Sequence, residues 1–468
     1  MNDHISLLLK QEGRPALPDT LKIVLLLSWP AILEQIMVTL VQYVDTAMVG
    51  TLGSQATAAV GLTATTTWLF GGLFGAAAVG FSVQAAQHLG AGRQLEAQKV
   101  TWQGLRFVGL FGLLMAGVGV GLSFPLPSLL GAAEEIRGDA SLYFRILACA
   151  WPCSFGVQMI SAILRCAGDT KTPAALNVLM NLLNVCLNAL FIYPAGTLTP
   201  FGLSLPGMGW GVGGAAFASA LSQTAVFVLY LLVLFRKDTP VRISLRERHK
   251  FEKATLLTAW KLGLPVALER ILTNGAQIII TGIISGVGTV AVAANHLAVT
   301  AEALSYLPAF GISTAATTLV GQAMGAGRKD LAVRFARLIT WLGILIMTAG
   351  GVVLFVFSRQ LITIFSSDPE VIELGSQVLK IVAFAEPLFG ASIVAAGALR
   401  GAGDSKWPFL ISLATMWLVR VSLSLILVGP LGLPGVWLAM AAELCARGAI
   451  FLVRLYRNRW LEIRLFAK

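Results

Sequence analysis

Gly90-Ala91-Gly92-Arg93 and Gly325-Ala326-Gly327-Arg328 are the same four residues set 235 positions apart, and this repetition decides the fold. Working outward from it, the register does not slip. Upstream, Pro30 falls on Pro265, Glu34 on Glu269, Gln42 on Gln277, Thr46 on Thr281 and Gly53 on Gly288. Downstream, Pro152 falls on Pro387, and Arg165-Cys166-Ala167-Gly168-Asp169 meets Arg400-Gly401-Ala402-Gly403-Asp404. The second copy then lacks eleven residues, because Gly211-Val212 pairs with Gly435-Val436 at an offset of 224 instead of 235. A match of this length marks an internal duplication.

The duplicated unit is built for lipid. Of 468 residues 56% are hydrophobic and 12% charged, and the mean hydropathy of +0.79 excludes a soluble surface. Apolar runs of membrane-spanning length recur at about 23–50, 57–86, 102–124, 142–164, 174–194, 209–235, 256–285, 290–322, 338–358, 376–399, 408–428 and 435–453. These twelve runs predict an all-α integral membrane protein with two pseudo-symmetric six-helix bundles. The expected lobes are 1–235 and 256–468, the latter with a basic tail, joined by a cytoplasmic linker at 236–255. Because six is even, the repeats run parallel, related by an axis along the membrane normal, which permits alternating access.

The formal charge of +11 is distributed, not gathered into a nucleic-acid patch. Lys10, Arg14 and Lys22, Arg93 and Lys99, Arg165 and Lys171, Arg236 to Lys253, Arg328 to Arg337, Arg400 and Lys406, and Arg454 to Lys468 fall on alternate connections. By the positive-inside rule both termini are expected in the cytoplasm. Residues 1–19 lack the apolar core of a cleavable signal peptide. The five cysteines, Cys149, Cys153, Cys166, Cys186 and Cys445, sit in or beside apolar runs without metal-type spacing, and are expected as free thiols.

Where symmetry builds the scaffold, departures from it point to chemistry. Asp45 pairs with Ile280 and stands about 16 Å along the helix from Glu34. An unpaired carboxylate among apolar helices costs about 3 kcal/mol, so it needs a proton, a cation or a polar partner. Asn177, Asn181, Asn184 and Asn188 recur at three- and four-residue spacing, and none has an Asn counterpart in the second copy. Asn184 and Asn188 are nearest Asp45 in depth if the two helices run antiparallel. A carboxylate with amide oxygens suits a hard cation such as sodium, the carboxylate alone could carry a proton, and interhelical hydrogen bonding is the structural alternative. In the second half, Glu386 replaces Trp151 and is a second candidate, with Glu269, Glu34 and His296 behind it. Arg420 and Glu443, on consecutive antiparallel helices, are expected to form an ion pair.

These strings, together with Pro30-Ala31-Ile32-Leu33-Glu34, Val44-Asp45-Thr46-Ala47-Met48-Val49-Gly50 and Leu164 to Pro173, resemble the multidrug and toxin extrusion (MATE) family over nearly the whole chain. The resemblance implies an antiporter that expels amphipathic, often cationic compounds in exchange for sodium or protons. It implies a coupling site in the first lobe at Asp45, Asn184, Asn188 and Ser219, where Asn188 and Ser219 depart from the family's Asp and Thr and leave the ion open. Tyr43, Trp68, Phe70, Phe74, Phe155, Gln158, Met159, Tyr306 and Phe310 are candidates for the lining of an aromatic substrate cleft.

No nucleotide-binding glycine loop, metal-spaced cluster or nucleophile elbow occurs, which argues against a primary pump and against most enzymes. No cofactor or metal is expected beyond the coupling ion. The expected partners are a small organic substrate and the lipid bilayer, with no nucleic acid, for a monomer in the plasma membrane (the inner membrane of a bacterium). A flippase or exporter of lipid-linked cargo on the same fold, and a membrane-embedded enzyme or channel, are the competing readings.

Overall fold

The computed structural model describes residues 9, 16–196, 207–236, 238–244, 251–463 and 465–466, apart from the side chains of 41–43. Lys10, Arg14, the Tyr43 side chain and most of the basic run in the linker lie outside these residues.

The long elements are all helices: α1 (Leu17–Gly50), α2 (Ser54–Gly90), α3 (Gln94–Ser123), α4 (Glu134–Cys166), α5 (Lys171–Ile192), α6 (Gly211–Phe235), α7 (Lys253–Ser285), α8 (Thr289–Gly325), α9 (Lys329–Val356), α10 (Pro369–Ala383), α11 (Glu386–Gly401), α12 (Lys406–Leu431) and α13 (Leu433–Tyr456). The β pairing among the described residues is an isolated bridge, Pro194 to Met208. Ten of the helices are long and apolar enough to cross a membrane, and α10 with α11, bent by 58°, makes an eleventh span. The remaining expected span is α7. At 33 residues it is long enough, but it falls short in apolarity because Glu269, Arg270, Asn274 and Gln277 lie within it. The twelve-span reading therefore holds in helix placement, with one span unusually polar. Two spans are irregular, as is common where transporters work: α10 and α11 break just before Glu386 and Pro387, and α12 winds as a π-helix over Thr415–Val421.

The duplication is visible in the backbone. Gly92 and Gly327 both adopt φ of 72°, and Gly168 and Gly403 adopt 88° and 96°. Only glycine enters this region without strain, so the repeated motifs are turn signals between spans. Each second turn leads into a matching cap: Asp169 Oδ1 accepts from Thr172 N at 3.0 Å, and Asp404 Oδ1 from Trp407 N at 3.3 Å.

Two compact units emerge. One comprises Met1–Gln35, Ala86–Gly92 and Trp260–Lys468, the other Ile36–Ala85 and Arg93–Ala259. In the first, Ile23, Val24 and Leu27 of α1 pack with Ala309, Ile312 and Ala316 of α8 and with Leu399 of α11. Here the two sequence repeats meet through reciprocal glycines. Gly90 lies against the Gln322 carbonyl and Gly325 against the Gln87 carbonyl, so close that a Cβ on either would sit 2.0 and 1.9 Å from those oxygens. In the second unit α4 packs against α3 and α6, and α6 against α5. A ring cluster of Phe74, Phe107, Phe111 and Phe155 fills its centre.

Candidate functional site

The four Asn side chains of α5 are all buried, which lipid would not permit without polar neighbours. The neighbours are the residues named from sequence. Asn188 Nδ2 donates to Asp45 Oδ1 at 2.5 Å, and the Asn184 amide lies 3.0 Å from Ser219 Oγ on α6. With Nδ2 of Asn184 facing the carboxylate, that amide donates to Asp45 and its Oδ1 accepts from Ser219, which satisfies both ends. Asp45 comes from the part of α1 that belongs to the second unit, so all four residues stand within one unit. Asn188 Oδ1 and Asn181 Nδ2 are buried without a hydrogen bond. A half-buried carboxylate ringed by amide and hydroxyl groups, with an acceptor to spare, can hold one hard cation or one proton.

Tyr143 of α4 also lies within electrostatic reach of Asp45, a neighbour missed from sequence. Its repeat counterpart is Val378, so the asymmetry that singled out Asp45 was available for it too.

The other charges separate into two groups in the first unit. Glu269 pairs with Arg400 at 2.7 Å, and Arg270 beside it is attracted to the same carboxylate without forming an ion pair among the described residues. Deeper in, Glu302, Glu386 and Glu443 are buried. Glu443 pairs with Arg447 at 3.2 Å and accepts from Thr415 at 2.9 Å, which corrects the expected pairing with Arg420. The reason is register: Arg447 is one turn along the same helix, whereas the Arg420 guanidinium donates to Met440 Sδ at 3.0 Å. Neither oxygen of Glu386 makes a hydrogen bond, although Glu302 and Ser305 are near. Glu34 is buried, and His296 is exposed on α8. Neither joins the Asp45 cluster.

A cavity of about 470 Å³ opens in the second unit between α2 and α4, lined by Thr67, Trp68, Gly71, Phe74, Trp151, Ser154 and Gln158. Its volume suits a small organic molecule. Trp68, Phe74 and Gln158 line it directly. Phe70 stacks on Trp151 with centroids 4.2 Å apart, while Phe155 and Met159 are fully buried and back the wall. Tyr306 and Phe310 belong to the other unit, where they pack edge to face at 5.7 Å.

The MatE family model matches residues 30–190 and, a second time, residues 265–426, so its two copies begin 235 residues apart, at the offset of the duplication. The chain belongs to the MatE family. It is therefore a multi-pass membrane transporter of the multidrug and toxin extrusion type. A probable multidrug resistance protein NorM of Thermotoga maritima is 30% identical over 95% of this chain and 94% of its own. One from Pseudomonas aeruginosa is 29% identical over 96% and 91%. Among solved structures, one described as the outward-facing conformation of a multidrug resistance MATE transporter of the MOP superfamily superposes with a TM-score of 0.88, at 24% identity over 98% of this chain and 99% of that one. A MOP superfamily transporter from Pyrococcus furiosus gives 0.87 at 23% identity over 98% of both. These two likenesses carry the fold.

Proposed function

We propose that the protein is an antiporter in the plasma membrane that exports amphipathic cationic organic compounds in exchange for sodium ions or protons. The observation that carries this reading is the convergence of Asp45, Asn184, Asn188 and Ser219 from three helices of one unit. Such a site exchanges an ion with little rearrangement, because the amides can turn to donate to a carboxylate or to offer oxygen to a cation. The names of the NorM relatives support drug export, and the aromatic cavity beside Trp68 and Gln158 supports an apolar, planar cargo. The lobes 1–235 and 256–468 would alternate access around the linker 236–255, with both termini cytoplasmic by the distribution of basic residues. The chain works as a monomer without cofactor or nucleic acid, since it carries its pseudo-symmetry within itself.

The test is efflux of a fluorescent organic cation from liposomes containing the purified protein, under separate sodium and proton gradients. Wild type should respond to one of them, which names the ion, and Asp45→Asn should lose the response. An Asp45→Asn protein that still couples efflux to the gradient would refute the site.

A further inference from the structure

We infer that the cavity between α2 and α4 reads an uncharged, planar cyclic amide (a lactam) in the ring system of the cargo, with Gln158 and Ser154 as its hydrogen-bonding residues. The cavity exists because the first repeat departs from the second. Gly71, Gly75 and Ser154 fall on Tyr306, Phe310 and Phe389. In the second repeat these three are rings packed on one another, Tyr306 meeting both Phe310 and Phe389 edge to face at 5.7 Å. In the first, the same place is open: a Cβ on Gly71 would meet nothing within 4 Å, and the cavity of about 470 Å³ lies there. Glycine is a poor helix former, so two glycines one turn apart inside α2 call for a reason, and room for a ligand supplies it.

The walls of the cavity are rigid and carry no charge. Trp151 is buried and held by Phe70, stacked at 4.2 Å, with Phe74 and Phe144 edge-on at 5.9 and 5.6 Å. Trp68, 66% exposed, adds a second indole. None of the lining residues is ionisable, since Thr67 and Trp151 stand where the second repeat has Glu302 and Glu386. A charge on the cargo is therefore met elsewhere, and this cavity recognises its neutral part. Ser154 and Gln158, one turn apart on α4, make no side-chain hydrogen bond among the described residues. Gln158 Oε1 reaches across to α2, 3.5 Å from where a Cβ of Gly75 would stand. An acyl chain in the cavity would leave the amide and the hydroxyl unsatisfied, which is costly away from water. A lactam satisfies them: its carbonyl accepts from the Gln158 amide while its N–H donates back to Oε1, and Ser154 Oγ can bond the same edge. Its flat conjugated ring suits the two indoles.

The inference rests on the export reading for what enters the cavity, but its test is binding and needs no transport. The probes are phenanthridin-6(5H)-one, a neutral tricyclic lactam, and its N-methyl derivative, which keeps the carbonyl and lacks the N–H. Both are equilibrated by dialysis against the purified full-length protein in lipid nanodiscs, with empty nanodiscs as the blank. Wild type should bind the lactam about tenfold more tightly than its N-methyl derivative. Gln158→Leu should weaken the lactam about tenfold and leave the derivative within about twofold. Gly71→Tyr combined with Ser154→Phe, which imports two rings of the second repeat, should abolish binding of both compounds. Ser154→Ala should weaken the lactam severalfold, which keeps the test alive if the larger changes misfold. Wild type holding no more lactam than empty nanodiscs, equal binding of the two compounds, or undiminished binding by Gln158→Leu or by the filled variant would each overturn the assignment. Efflux of a fluorescent organic cation from wild-type liposomes is scored separately. Its absence would count against export while leaving the binding result intact.

Discussion

Gly90 and Gly325 make the sharpest test of how the repeats are joined. A Cβ on Gly90 would stand 2.0 Å from the Gln322 carbonyl oxygen, and one on Gly325 would stand 1.9 Å from that of Gln87. An ordinary contact begins near 3.4 Å, so α2 and α8 must part by about 1.4 Å locally to admit either methyl group. Both obstacles are backbone, which cannot rotate away as a side chain would. Overpacking of this kind costs about 1–3 kcal/mol, against a helix-propensity gain of about 1 kcal/mol for replacing glycine by alanine. The control is Gly117 in α3, where an added Cβ meets nothing within 4 Å. Purified variants are melted in detergent and followed by intrinsic tryptophan fluorescence. Gly90→Ala and Gly325→Ala should each lower the melting temperature by a few degrees, while Gly117→Ala holds or raises it. The double variant should melt little below the worse single, because one separation of the helix pair relieves both clashes. Gly90→Ala melting like Gly117→Ala, or fully additive losses in the double variant, would refute the close reciprocal contact.

Other outcomes follow from the side-chain geometry. Asn184→Ala removes the amide between Asp45 and Ser219, and should raise the ion concentration for half-maximal efflux by roughly tenfold, read in liposomes across an ion titration. Glu269→Gln strands Arg400 and should destabilise by the order of 2 kcal/mol, with most of the loss recovered by adding Arg400→Met; a double variant as unstable as the single would count against a simple pair. Glu386→Gln should leave the melting temperature unchanged or raise it, since the buried carboxyl makes no hydrogen bond that the amide would forfeit. A marked fall would mean that Glu386 has a partner that the structure does not contain.

The duplication, the helical class and the turn glycines were all legible in the chain, because each is a local property. A run of apolar residues must be helical in lipid, since only a helix satisfies its own backbone there. Gly92 and Gly327 must be glycine because only glycine takes their dihedral angles freely. The polar cluster around Asp45 was legible for a related reason: Asp45 and the Asn face of α5 depart from a symmetry that the sequence itself displays, and an unpaired carboxylate in lipid must find polar company.

What the sequence left undecided depends on distances between helices, which no periodicity encodes. Arg420 and Glu443 occupy facing depths on consecutive helices, yet Glu443 takes Arg447 because an i, i+4 pair is fixed by one helix and an interhelical pair by the packing of two. Phe155 and Met159 read like the cavity residues Trp68 and Gln158, and only packing turns them inward. The chain alone determined that it crosses the membrane in two related halves; the packing of those helices decided which polar groups are satisfied and which remain to meet a ligand, because satisfaction is a matter of ångströms between elements distant in sequence.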